Sequence, residues 1–437
     1  MYKRQLWLLQ DDVPHADLAE AVGDPRRLAA LGLLEPGRDP GTWRASVEVR
    51  PFGTDDGFDG WVCHDRLPTL DGRLDPAPSD FVLGLSPAST TLAQLTIRDR
   101  VGRALDLGTG CGVQSLHLAR HADVVVATDL NPRAVALARV TARLNGVDLD
   151  VRTGSLYEPV AGERFDLIVT NPPYVMSPPT GERLVYREGL FTGDDLVRRV
   201  VTEGAGLLAE GGVLQVLGNW AIVASEPFED RLRSWIEPTG CDALVLMRER
   251  LDPYEYIEVW LNDAGLVGSP DYTARYRAWL DYFAGLGIEG VGLGWIALRN
   301  AGRATPHVQV EEWPHAVHQP VGEAFSSFFR GLDAAADASD AALLATAWTL
   351  DPRVTQETLG RPGAEDPEHV VLRQGYGLGR AIEVDTALGA VLGACDGELS
   401  AGRLVAAVAQ LLEVDAGALA SEVAPRLRQL VIDGWMS

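Results

Sequence analysis

Between about residue 100 and residue 220 the chain alternates short apolar runs with amphipathic stretches. The runs are ALDLGTG, DVVVATDL, LDVRTGSL, FDLIVTNPPY and GGVLQVLGNW, separated by SLHLARHA, AVALARVTARLNG and DDLVRRVVTEGAGLLAEGG. Short apolar runs bounded by turn residues read as strands buried on both faces, and the intervening period of 3.6 reads as helix. Strands alternating with amphipathic helices lead to a parallel sheet with helices on both faces. ALVLMRER at 243–250 reads as a sixth strand and GVGLGWIALRN at 290–300 as a seventh. Between them DPYEYIEVWLNDAG and PDYTARYRAWLDYFAGLG read as two helices rich in Tyr and Trp. They form either a packed pair or a lid and substrate wall.

The flanks differ in texture. Residues 1–95 join a helical pattern, DLAEAVGDPRRLAALGLLEPG, to strand-like pieces such as ASVEVRPF and GWVCHDRL. This reads as a small α+β lead-in domain. Residues 303–437 return to helical patterns, ending in LSAGRLVAAVAQLLEV and AGALASEVAPRLRQLVIDGW, with Ser400 as a candidate cap. That arrangement is compatible with a winged-helix-like module. A chain of 437 residues accommodates two or three domains. The expected division is 1–95, 96–302 and 303–437.

Charge bears on partners. The net charge is −24, and residues 303–437 hold 9 Arg against 19 acids. Such a surface disfavours an extended phosphate-tracking face, although a local basic groove is compatible with it. Lys3 is the only lysine, so the arginines reflect a bias of usage before they mark anion sites. Cys63, Cys111, Cys241 and Cys395 have neither metal nor redox spacing and suit a reduced, cytoplasmic setting. The apolar run at the start is far too short for a signal peptide, and nothing approaches the roughly 18 apolar residues of a membrane span.

Two stretches carry chemistry. DLGTGCG, residues 106–112, follows the first strand and opens the first helix. Its glycines allow a sharp turn and close ligand approach at a helix N-terminus. Asp129 ends the second strand, about twenty residues on, where a carboxylate accepts from a ribose diol. Loop and acid together admit a dinucleotide or another nucleoside cofactor. The GTGCG spacing lacks the third glycine of the dinucleotide fingerprint. Further on, the fourth strand runs into Asn171, Pro172, Pro173 and Tyr174. The prolines end the ladder, but they do not explain the amide before them or the ring after them.

DLGTGCG, DLNPRAVALARVTARLNG, GSLYEP and NPPY, in that order at successive strand ends, resemble the class I S-adenosylmethionine (SAM) methyltransferases. More narrowly they are similar to those that methylate an amide or exocyclic amine nitrogen, the HemK-like and small-domain group. The likeness covers about residues 80–225 and implies a Rossmann-like seven-stranded domain. It implies that Asp106, Gly108, Thr109, Gly110, Cys111 and Gly112 surround the methionine part of SAM. It further implies that Asp129 holds the ribose hydroxyls, that Leu130 packs near the adenine and that Ser155 and Leu156 sit at the adenine edge. Asn171, Pro172, Pro173 and Tyr174 correspond to the catalytic tetrad, with Asn171 also beside the cofactor. An amide or aromatic amine is a poor nucleophile because its lone pair is delocalised. The Asn171 side-chain oxygen and the Pro172 carbonyl can accept its two N–H bonds and hold the nitrogen toward the methyl, while Tyr174 stacks on the planar acceptor.

NPPYVMSPP resembles the eukaryotic-type HemK-like branch, which modifies Gln or Lys, and GLFTGDDLVRRVV resembles the bacterial glutamine branch. The segment before the first strand, LGLSPASTTLAQL, departs from the bacterial acidic pattern and is closer to small-domain enzymes acting on ribosomal-RNA guanine. Ser86 and Thr90 in it are candidate pocket residues. Tyr186, with Arg187 and Glu188, is a candidate gate, and Trp220, beside Asn219 at the expected end of the fifth strand, is a candidate substrate wall. His315 and His318 lie among prolines and read as loop, so no metal is expected. The function expected is N-methyl transfer to a protein side chain or small molecule, with no membrane partner. The alternatives are an adenine or guanine amino-methyltransferase, disfavoured by the charge, and a SAM-binding protein without catalysis.

Overall fold

The computed structural model describes residues 2–7, 9–53, 57–66, 79–179, 191–361 and 368–437. Eight strands make the main sheet: β1 (Val101–Leu107), β2 (Ala122–Asp129), β3 (Asp150–Thr153), β4 (Phe165–Thr170), β5 (Leu208–Val223), β6 (Asp242–Leu251), β7 (Ile288–Arg299) and β8 (Val308–Glu312). Their order is β8-β6-β7-β5-β4-β1-β2-β3. Strands β1 to β5 pair in parallel, and β7 runs antiparallel to β5.

The connections reverse direction between β1 and β4. From β1 the chain steps to β2 and β3 on one side, and then returns to β4 and β5 on the other. Loops leaving the carboxyl ends of β1 and β4 therefore diverge, which opens a crevice where ligands bind in such sheets. The expectation of seven strands is met and exceeded by one. Strand β8 pairs in parallel with β6, from Ala243↔Val308 to Met247↔Glu312. Its five residues, VQVEE, carry two buried valines and are too short to separate from loop in the sequence.

Seven helices bear on the site: α1 (Pro87–Leu95), α2 (Val113–Leu118), α3 (Pro132–Leu144), α4 (Asp195–Ala205), α5 (Phe228–Ile236), α6 (Pro253–Asp263) and α7 (Tyr272–Leu286). Helix α3 starts where the Asn131 side chain accepts from Arg133 N at 2.9 Å, with Pro132 supplying a preset φ. It buries Ala134, Val135, Leu137, Ala138 and Ala142 on one face. Helix α6 opens on a reciprocal capping box between Asp252 and Glu255. The Tyr/Trp-rich helices α6 and α7 are a packed pair: Tyr256, Ile257, Trp279 and Phe283 form one core with Val175, Met176, Ala221 and Val291.

By packing, the chain divides into two compact units. The first comprises 1–93, 100–239 and 249–302, and the second comprises 94–99, 240–248 and 303–437. In the first, the strands Val47–Gly53 and Asp59–Asp65 form an antiparallel hairpin. Its Val47, Val62 and Cys63 share a core with Leu116 of α2 and Leu137 of α3.

The second unit is richer in strand than the helical pattern implied. Val354–Leu359, His369–Gln374 and Ala381–Val384 form a three-stranded antiparallel sheet, followed by helices Thr386–Gly393, Ala401–Leu412 and Ala416–Ile432. Gly331 admits close helix approach, since a Cβ there would lie 2.3 Å from the Val431 carbonyl oxygen. Ser400 stands at the N-cap of Ala401–Leu412 without a side-chain capping bond. Among the described residues no helix is long and apolar enough to cross a membrane.

Candidate active site

The crevice is a cavity of about 390 Å³ within the first unit, inside the range of small-molecule sites. The loop after β1 forms its floor. Gly108 N and Thr109 N both donate to Thr128 O, at 2.8 and 2.9 Å, which ties the loop to the end of β2. Gly108 and Gly110 have φ of +74° and +55°, and a Cβ on either would meet open space. The positive φ, not crowding, calls for glycine at both positions. Gly112 does not line the cavity. It caps α2 at φ +88°, and a Cβ there would come within 3.3 Å of Ala138 Cα, so it serves the α2–α3 approach.

Two carboxylates face this loop. Asp106 is 1 % exposed and accepts from Thr109 Oγ1 and Ser115 Oγ, each at 2.6 Å. Burial nevertheless pushes its carboxyl up to about 6. Asp129 accepts from Gly110 N at 2.9 Å and Asn131 N at 2.8 Å. Burial raises its pKa too, against these two bonds. Cys111 lines the cavity, but burial pushes its thiol up to about 12, so it is no nucleophile near neutral pH.

Ser155 and Leu156, after β3, line the far end together with Leu130, which is 52 % exposed. Leu156 adopts φ +45°, a left-handed conformation that costs a branched side chain about 1–2 kcal/mol. Such strain at a cavity wall is held by its surroundings and is typical of ligand sites.

A strap over residues 79–84 closes one side. Phe81, Val82, Leu83 and Gly84 line the cavity. Asn131 Nδ2 donates to Asp80 O at 2.7 Å, and Val82 N donates to Asp65 Oδ2 at 2.8 Å. Asp65 is in turn held by Arg133 Nε at 2.9 Å to both oxygens. This strap was not read from the sequence, because its tether comes from a hairpin far upstream. Ser89, Gln114, Thr128, Phe191 and Leu196 line the cavity as well and were not singled out. Ser89 lies inside LGLSPASTTLAQL and Gln114 follows DLGTGCG by two residues, so position in or beside these segments is the signal the sequence offers.

At the end of β4, Asn171, Pro172 and Pro173 line the cavity. Thr170 Oγ1 donates to Leu107 O at 2.8 Å, which holds the ends of β4 and β1 together. Among the described residues Asn171 Oδ1 is buried without a hydrogen-bond partner. Tyr174 is outside the cavity wall. Its ring sits edge-on to Trp260 with centroids 6.4 Å apart, and burial raises its pKa. The following segment is pinned at Asp194, which accepts from Ala221 N at 2.7 Å and from Arg231 Nη2 at 2.6 and 2.9 Å. That carries Phe191 and Leu196 to the cavity.

Other expected positions fall elsewhere. Ser86 lines the cavity, whereas Thr90 is exposed on α1, bonded to Ser86 O at 3.2 Å, and does not. Trp220 is corrected: it is fully buried and lines no part of the cavity. Strand β5 does not end at Asn219 and Trp220 but runs to Val223, because β7 pairs with it through Ile288. Tyr186, Arg187 and Glu188 lie outside the described residues.

A Rossmann-like sheet with a Gly-rich loop after β1, an acid after β2 and NPPY after β4 defines a class I methyltransferase domain. Residues 84–236 match the family model Methyltransferase small domain. The chain is 42% identical over 120 residues to the release factor glutamine methyltransferase of Aquifex aeolicus, covering 26% of this chain and 41% of that protein. It is 32% identical over 196 residues to ribosomal RNA small subunit methyltransferase C of Salmonella arizonae, covering 44% and 52%. The chain thus spans about half the length, or less, of these curated relatives. Among solved structures, a T. thermophilus 16S rRNA methyltransferase, RsmC, in complex with AdoMet and guanosine matches with 20% identity and a TM-score of 0.30, covering 48% of this chain and 55% of that one.

The cofactor of this family is SAM, and the residues present fit it. Among the described residues the cavity wall contains Asp106 and Asp129 but no lysine or arginine, which suits a cation. Gln114 Oε1, Thr128 Oγ1 and Asn171 Oδ1 belong to wall residues, are buried acceptors without a partner among the described residues, and suit a ligand rich in N–H and O–H donors.

Proposed function

We propose that the protein transfers a methyl group from SAM to an amide or amine nitrogen of a protein side chain or small molecule. One observation carries this reading: Asn171 Oδ1, at the carboxyl end of β4 on the cavity wall, is a buried acceptor with no partner among the described residues. Leaving such a group unpaired costs about 1–3 kcal/mol. An N–H of the acceptor relieves that cost.

Bound SAM supplies an electrophilic methyl on a sulfonium. Asn171 Oδ1 takes one N–H of the acceptor, and the Pro172 carbonyl takes the other. The nitrogen lone pair is thereby turned out of conjugation and toward the methyl. As the methyl–sulfur bond breaks and S-adenosylhomocysteine forms, positive charge develops on the nitrogen, the two fixed carbonyl dipoles stabilise it, and the nitrogen then releases one proton to solvent. The prolines hold the direction of the Pro172 carbonyl because their φ is locked. Asp129 would take the ribose hydroxyls of SAM, and the loop Gly108–Gly110 would lie against its methionine part. Four buried, free cysteines support a reducing, cytoplasmic setting.

The net charge of −24 supports a protein or small-molecule acceptor over RNA. So does the higher identity to the glutamine methyltransferase, although the likeness to the rRNA enzyme covers more of this chain. The test is methyl transfer from radiolabelled SAM into a cell extract, divided by protease and nuclease. Label released by protease supports the reading. Label released by nuclease transfers it to an exocyclic base amine. No incorporation, with SAM bound, leaves a binding protein without catalysis.

A further inference from the structure

We infer that Gln114 is a cofactor-binding residue whose side-chain oxygen receives the α-ammonium of the methionine end of SAM. The inference rests on the proposed SAM site and deepens it. Gln114 lies in the first turn of α2, directly after the Gly-rich loop, and it lines the cavity at 7 % exposure. Its Nε2 donates to Ser89 O at 2.6 Å. A backbone carbonyl only accepts, so this bond settles which way the amide faces. The nitrogen is turned to α1, and Oε1 is left buried without a partner among the described residues.

Position along the sheet says which part of the cofactor comes near. The nucleoside side of the cavity is over β2 and β3, where Asp129, Leu130, Ser155 and Leu156 line it. Asn171 marks the acceptor side, after β4. Gln114 follows β1 and faces α1, away from the nucleoside end and next to the loop that holds the methionine part. The donor expected there is an ammonium. An amide oxygen meets it without adding a third carboxylate beside Asp106 and Asp129. Ser86 and Ser89 frame the same corner. They are locked to each other by Ser86 N to Ser89 Oγ at 2.9 Å and Ser89 N to Ser86 Oγ at 3.1 Å, so α1 presents the Ser89 carbonyl at a fixed place.

The experiment is calorimetric titration of the full chain and of Gln114→Leu with two ligands. One is S-adenosylhomocysteine, and the other is its deaminated analogue, which keeps nucleoside, sulfur and carboxylate and lacks only the amine. The expected result is about tenfold weaker binding of S-adenosylhomocysteine by Gln114→Leu, as for a lost hydrogen bond to a charged group. Affinity for the deaminated analogue should change less than about twofold. Equal weakening for both ligands means that Gln114 only supports the cavity, and it overturns the assignment. Unchanged binding of S-adenosylhomocysteine overturns it as well, while the SAM site stands. A wild-type protein that binds neither ligand overturns both the assignment and the methyltransferase reading beneath it.

Discussion

The hydroxyl of Tyr256, on α6, accepts the backbone N–H of Met176 at 3.1 Å, two residues beyond the NPPY turn. The same oxygen accepts from Asn219 Nδ2, on β5, at 2.9 Å. A helix inserted between β6 and β7 thus reaches back to the chain that leaves β4. Tyr256→Phe leaves two buried donors without an acceptor. We expect a loss of about 2 kcal/mol in urea unfolding, with SAM affinity within about twofold of wild type. Unchanged stability would show that the two donors find other partners.

Asn171→Ala removes the acceptor that the proposed reaction relies on. Methyl transfer in the radiolabel assay should fall by about a hundredfold or more, as when one preorganised dipole is lost. Calorimetry should find SAM still bound. Transfer at the wild-type rate would rule out the role given to this side chain.

Asp129→Ala strips Gly110 N and Asn131 N of their acceptor and removes the proposed ribose contact. SAM affinity should weaken by about tenfold or more. Circular dichroism should be unchanged, since β2 keeps its ladder with β1 and β3. Equal dissociation constants for the two proteins would contradict the assignment.

Asp106 links stability to pH. Burial raises its carboxyl from 3.8 to about 6 in the folded chain. A raised acid stabilises the folded state fully below the unfolded value, and that contribution is lost as pH rises through the folded value. Asp106→Asn removes the titration. The stability of wild type relative to the variant should therefore fall by on the order of 3 kcal/mol between pH 3.8 and about 6, and level off above. Urea unfolding of both proteins across that interval measures it. Parallel curves would place the titration elsewhere.

Much of this architecture was written locally. The five apolar runs from ALDLGTG to GGVLQVLGNW became β1 to β5, and Tyr/Trp-rich α6 and α7 became a packed pair. Asp106, Asp129 and Asn171 stand at strand ends in the structure, as their places at the close of apolar runs implied. Periodicity and punctuation are properties of neighbouring residues, so a sequence determines which segments become strands and where those strands stop. It did not determine where a side chain points once elements pack. Trp220 is an example: the extension of β5 by its pairing with β7 turned an expected wall residue into a core residue. The strap over 79–84 and the orientation of the Gln114 amide likewise depend on Asp65, Asn131 and Ser89, which lie 17 to 51 residues away in the chain. Strand β8 exists only because β6 offers an edge to pair with. Contacts of that kind are decided by tertiary structure, because the free energy of a hydrogen bond or a buried ring depends on what the rest of the chain brings against it.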